Sequence, residues 1–219
     1  MQDPEFCVLL GPDLAGKSSA MSALRRAPHA PRGPHAPRTP RLISADDAFL
    51  SPGHALIGRL RREVVKDVAA PGRSWSPDFF AAMLQTAVVH LRDQLLDDAR
   101  TPAVVDSYYY KLLAKCRLAG AGDNPMFDWW RSFPQPRRVV YLEVSPETAW
   151  RRSREGARLN RLEHYGDVPD RDAFERYQAD LRKTMREEIR DLPMTVIEEH
   201  GDPARTAAEI RKVLAHELG

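Results

Sequence analysis

The strongest chemical signal lies near the start of the chain, where Gly11-Pro12-Asp13-Leu14-Ala15-Gly16-Lys17-Ser18 satisfies the pattern GxxxxGK[ST]. Glycines let the amides of such a loop turn inward, and a following helix presents its unpaired N–H groups, so the segment suits a polyphosphate. Gly11, Ala15 and Gly16 are expected to shape the cradle, and Lys17 to reach the β and γ oxygens. Ser18 offers a hydroxyl to Mg²⁺, a cation that needs few protein oxygens beside those of the phosphates. Ser19 reads either as a phosphate contact or as a helix-start residue. The ligands expected are ATP and Mg²⁺.

Two further groups could act beside that loop. Asp106 ends the apolar run Ala103 to Asp106, and a carboxylate at such a strand end either organises a metal or caps the next helix. Arg151, Arg154, Arg158 and Arg161 follow one another at spacings of three, four and three, after Ser145 and Pro146, which suit a helix start. If that helix continues, the four guanidinium groups share one face, and their mutual repulsion calls for an anion, with Glu155 and Glu163 relieving part of it. Residues 146–166 are therefore expected to form an arginine-rich lid, with Arg154 and Arg158 placed to neutralise charge on a transferring phosphoryl group.

The elements that must position these residues alternate. Phe6 to Leu10, Leu42 to Ser44, Ala103 to Asp106, Val139 to Val144 and Met194 to Ile197 are short apolar runs. They are separated by helical periodicity at Ser18 to Arg26, Ala55 to Val68, Pro77 to Ala99, Asp170 to Arg190 and Pro203 to Leu218. Strand-helix alternation predicts an α/β fold, a P-loop NTPase fold with five parallel strands flanked by helices. Ligands should then collect beyond the carboxyl ends of the strands, near Gly11, Asp46, Asp106 and Ser145. Pro-His-Ala-Pro-Arg occurs twice within residues 27–41, and proline at that density predicts an inserted extended loop.

Totals bound the rest. A chain of 219 residues suits one domain with one core, and 33 basic against 31 acidic residues give a formal charge of +2, too balanced to hold a nucleic acid by its global field. No eighteen-residue apolar run is present, so no membrane span is expected and a cytoplasmic protein is. The two cysteines, Cys7 and Cys116, lack ligand spacing and read as buried thiols. Trp129 and Trp130 read as anchors of a helix or of a homodimer face, and the histidines show no metal spacing.

Taken together, three segments resemble the thymidylate kinase family of nucleoside monophosphate kinases: GPDLAGKSS, the strand with its Val-Asp-Ser-Tyr ending at Tyr108, and YLEVSPETAWRRSREGARLNRLE. The resemblance runs from Phe6 to about Ile189. It implies that Arg151, Arg154, Arg158 and Arg161 close over ATP, and that Asp13 places Mg²⁺ or the attacking oxygen, although an aspartate after Pro12 also suits an ordinary turn. Asp106 is implied to act near the metal or as base, and Phe80 and Tyr108 to wall the acceptor pocket.

The departures concern the acceptor. Ser107 stands where the family has arginine, and Phe80-Ala-Ala-Met-Leu84 lacks the arginine of its helical acceptor motif. An acceptor phosphate would need other cations, and Arg59, Arg73, Lys111 and Lys115 lie near by in the chain. Asp46 and Asp47 occupy a segment that is basic and glycine-rich in the family, and carboxylates there favour hydroxyl or amine contacts. The acceptor is expected to be a nucleotide such as thymidylate or a nucleoside; a hydroxyl on a specialised metabolite is the alternative, and a regulatory ATPase a third reading.

Overall fold

The computed structural model describes residues 3–26, 39–68, 75–122, 124–198 and 200–218. Most of the proline repeat and Arg73 lie outside them. Five strands form one parallel sheet in the order β2-β3-β1-β4-β5: β1 (Phe6–Leu10), β2 (Arg41–Ile43), β3 (Ala103–Asp106), β4 (Arg138–Glu143) and β5 (Met194–Glu198). The expected sheet is present, with strand bounds shifted by a residue or so.

β1 is buried along its whole length, and its alternate side chains divide between two apolar clusters, as a strand covered on both faces requires. Phe6, Val8 and Leu10 pack with α3 (Pro77–Asp97), α4 (Tyr110–Leu118), α5 (Met126–Arg131) and most of α7 (Arg171–Glu188). Cys7 and Leu9 pack toward α1 (Lys17–Arg26), α6 (Pro146–Arg152) and α8 (Pro203–Leu218). Serine or aspartate caps three helix starts, including the expected one at Ser145: Ser76 accepts from the Phe79 amide at 3.1 Å, Ser145 from Thr148 at 3.1 Å, and Asp170 from Ala173 at 2.8 Å. The helix that begins at Ala55, α2, runs to Glu63 and passes into a wider turn over Val64–Val68. Both cysteines are buried, and Trp130 is buried beside Phe127, whereas Trp129 is exposed.

One expectation fails. The row of arginines from Arg151 to Arg161 does not lie on a helix, because α6 stops at Arg152. The Ser153 hydroxyl donates to the Trp150 carbonyl and accepts from the Gly156 amide at 2.8 Å, while Arg154 and Glu155 take left-handed φ of 55° and 53°. The chain turns back there, and a Cβ on Gly156 would meet the Trp150 ring at 2.9 Å, so this turn needs glycine.

Candidate active site

The β1 strand delivers the chain into the glycine loop. A Cβ at Gly11 would sit 2.5 Å from the Leu142 carbonyl, so only glycine lets the loop pass this close to β4. Gly16 and Leu14 take φ of 91° and 62°, and Lys17 begins α1 with its ammonium donating to the Gly11 and Pro12 carbonyls at 2.8 and 2.9 Å. Burial and the nearby ammonium of Lys111 pull Lys17 below the ordinary lysine range, against the opposing charges of Asp106 and Asp13.

Beside this loop lies a cleft of about 640 Å³. Its floor is the loop from Asp13 to Ser19, and Asp106, Ser107, Tyr108 and Lys111 come in from β3 and the start of α4. One wall is apolar, made by Val64 and Val65 with Met83, Leu84, Ala87 and Leu91 of α3. Arg152, Arg158 and Asn160 approach from the segment after α6, and Ile197 to Thr206 supply residues at the far end.

Ser44 links the Asp106 carboxylate to the backbone of Asp46. Its hydroxyl donates to Asp106 Oδ2 at 2.9 Å and accepts the Asp46 amide at 3.1 Å, while Ser107 donates to Asp106 Oδ1 at 2.9 Å. The Ser18 hydroxyl donates to Asp46 Oδ2 at 3.0 Å, and Arg61 pairs with Asp46 Oδ1. Burial would raise the Asp46 carboxyl, but Arg61 outweighs it and holds the group below the usual range. Ser18 and Asp106, linked through Asp46 and Ser44, are hard oxygen donors beside the phosphate loop, suited to a magnesium ion that keeps several waters. Among the described residues no cluster of three or more His, Cys, Asp or Glu suits an all-protein metal site.

Asp13 is engaged elsewhere. Its carboxylate lies 2.6 Å from Lys111 and 3.1 Å from Lys115 and accepts from Gln178 at 3.2 Å, and its amide donates to Gln178 Oε1 at 3.0 Å. Burial pushes this carboxyl up, and the surrounding ammoniums reverse that and hold it below the ordinary range. Lys115 also donates to the Leu162 carbonyl at 2.7 Å, and Gln178 to the Glu163 carbonyl at 3.1 Å. Burial and Asp13 keep the Glu163 carboxyl above its usual range. Asp13 therefore ties the phosphate loop to α4, α7 and the turn that follows α6.

Other expected residues are distributed unevenly. Ala15, Gly16, Lys17, Ser18, Ser19, Asp46, Asp106, Ser107, Tyr108, Lys111 and Arg158 line the cleft. Arg151, Arg154 and Arg161 do not line it; Arg151 and Arg154 are exposed, and Arg161 holds the Gly166 carbonyl and Asp167. Phe80 is core, and the α3 wall is made from Met83 onward. Arg59 is exposed outside the cleft. Arg152, Gln178, Arg61 and Ser44 were not anticipated. Gln178 left a trace in the sequence, a polar residue in the otherwise apolar stripe Phe174, Tyr177, Leu181, Met185. Arg152 left none, because the spacing that selected its neighbours assumed a longer helix.

Strand order, parallel register and the glycine loop between β1 and α1 define a P-loop NTPase fold. Solved structures with this arrangement include deoxyadenosine kinase from M. mycoides. The form with products dCMP and a flexible dCDP bound is 15% identical, covers 96% of this chain and 99% of its own, and superposes with a TM-score of 0.60. The dCTP-bound form is 15% identical with coverage of 96% and 99% and a TM-score of 0.56; for the dATP-bound form the values are 15%, 95%, 98% and 0.53. At that identity the likeness establishes the fold. No family model matches the sequence. No curated protein matches it either. Among the described residues no helix is long and apolar enough to cross a membrane.

Proposed function

We propose that the chain is an ATP-dependent phosphotransferase acting on a hydroxyl of a nucleoside or nucleoside-like acceptor. The observation that carries this is the continuity of one cleft, which joins the phosphate loop to an apolar wall through Asp46 and Asp106. On that wall the cation among the described residues is Arg61, already paired with Asp46, so the site suits an uncharged ring bearing hydroxyls better than a second phosphate. The solved neighbours with bound dATP and dCTP support the nucleoside class.

In this mechanism the loop amides and Lys17 hold the β- and γ-phosphates. Bound Mg²⁺, held through Ser18 and Asp106, would neutralise charge on the phosphate oxygens. Asp46 accepts the hydrogen bond of the attacking hydroxyl, with Arg61 keeping the carboxylate ionised and aimed. The acceptor ring lies between Leu84, Ala87 and Tyr108. Arg152, which donates to the Leu14 carbonyl at 3.0 Å, and Arg158 close the phosphate side in the part first assigned to Arg151 and Arg154.

The test is incubation with ATP-Mg²⁺ and a panel of nucleosides, nucleoside monophosphates and hydroxylated metabolites, following ADP release and product mass. Transfer to a nucleoside is expected. Transfer to thymidylate alone would restore the monophosphate kinase assignment implied by the lid segment, and no transfer to any acceptor would remove the kinase assignment.

A further inference from the structure

Three lysines line the cleft, and the glycine loop accounts for only one of them. Between β3 and α4 the backbone turns sharply, with left-handed φ of 59° at Ser107 and 45° at Tyr108 and the Ser107 amide bonded to the Leu9 carbonyl at 2.9 Å. That turn sets the first turn of α4 against the phosphate loop and brings Lys111 to Asp13 Oδ1 at 2.6 Å, with its side chain 11% exposed. Lys115, one helical turn later, donates to the Leu162 carbonyl and lies 3.1 Å from Asp13, so it is spent on anchoring.

Lys111 is placed differently. Both it and Lys17 line the cleft, Lys17 on the Gly11 and Pro12 carbonyls and Lys111 on the carboxylate of the next residue, Asp13. An ammonium has three N–H donors, and Asp13 Oδ1 takes one of those of Lys111. Two ammoniums facing one cleft repel each other, and an anion shared between them offsets that repulsion. The lysine of a glycine loop of this kind addresses the β- and γ-phosphates, so a partner beside it reaches the same oxygens.

We propose that Lys111 is a second phosphoryl-contacting cation of this site, binding the terminal phosphoryl group of ATP jointly with Lys17. It does inside the cleft what the exposed Arg154 does not. The proposal rests on the nucleotide assignment above. Asp13 orients the Lys111 side chain, and Lys115 and Gln178 hold Asp13, so removing the Lys111 charge leaves Asp13 with two partners.

Calorimetric titration of the full chain with ATP-Mg²⁺ and ADP-Mg²⁺ tests it. The unaltered chain should bind ATP more tightly than ADP. Lys111→Met should weaken ATP at least tenfold while ADP changes less than about threefold. Lys111→Arg should restore most of the preference for ATP. Should the methionine variant lose its far-UV dichroism, Lys111→Gln carries the same comparison. An unchanged ATP/ADP ratio in a folded variant, or equal loss of both nucleotides, would overturn the proposal and leave the nucleotide assignment standing. Failure of the unaltered chain to bind either nucleotide would overturn both.

Discussion

Replacing Asp13 by asparagine is the most informative single perturbation, because it removes a charge while keeping the shape of the side chain. The amide can still meet Gln178 and accept one lysine hydrogen bond, but Lys111 and Lys115 lose the carboxylate that lies 2.6 and 3.1 Å away. Breaking a buried ion pair by neutralising one partner costs about 3–5 kcal/mol. The low end applies here, since Glu163 lies close enough to interact with both lysines and can ionise further once Asp13 is neutral. At about 2 °C per kcal/mol for a chain of this size, the melting temperature should fall by roughly 6 °C.

Urea unfolding followed by far-UV dichroism and tryptophan fluorescence at pH 7.5 measures the loss directly. The Asp13 carboxyl titrates lower in the folded chain than in the unfolded one, so its contribution is complete above the ordinary carboxylate pKa of about 4 and disappears as pH falls through the folded value. The difference between the unaltered and Asp13→Asn chains should therefore be present at neutral pH and vanish in acid. Combined with Lys111→Met, the two substitutions should couple by about 2 kcal/mol. A loss below 1 kcal/mol, or strict additivity of the pair, would refute the network.

Two further outcomes follow from the cleft. Arg152→Ala should weaken ATP binding by about tenfold, since its guanidinium lies against the glycine loop, whereas Arg151→Ala, on the exposed side of α6, should change it less than twofold; equal effects in titration would show that the lid is placed wrongly. Asp46→Asn should lower kcat for the accepted hydroxyl substrate by about 10²-fold or more with ATP affinity within about threefold, and a loss confined to KM would move Asp46 from the reacting hydroxyl to acceptor binding.

Local chemistry determined much of this protein from sequence alone. The all-apolar β1 followed by a glycine loop, lysine and serine could serve few purposes other than a buried parallel strand feeding a phosphate cradle, and both local conformation and periodicity agreed on it. The helix start at Ser145 was legible for the same reason, since a cap acts within one turn. What only the tertiary structure decided are the relations between segments far apart in the chain. The spacing of Arg151 to Arg161 promised a row, but α6 ends at Arg152 and the chain beyond it is held by distant partners, with Arg152 on the Leu14 carbonyl and Gln178 on the Glu163 carbonyl, contacts that spacing does not encode. Asp13 looked like a metal-placing or turn residue until Lys111, Lys115 and Gln178, one of them 165 positions away, arrived around it. Long-range electrostatic pairing is set by which helix packs over which strand end, and that is a property of the folded sheet.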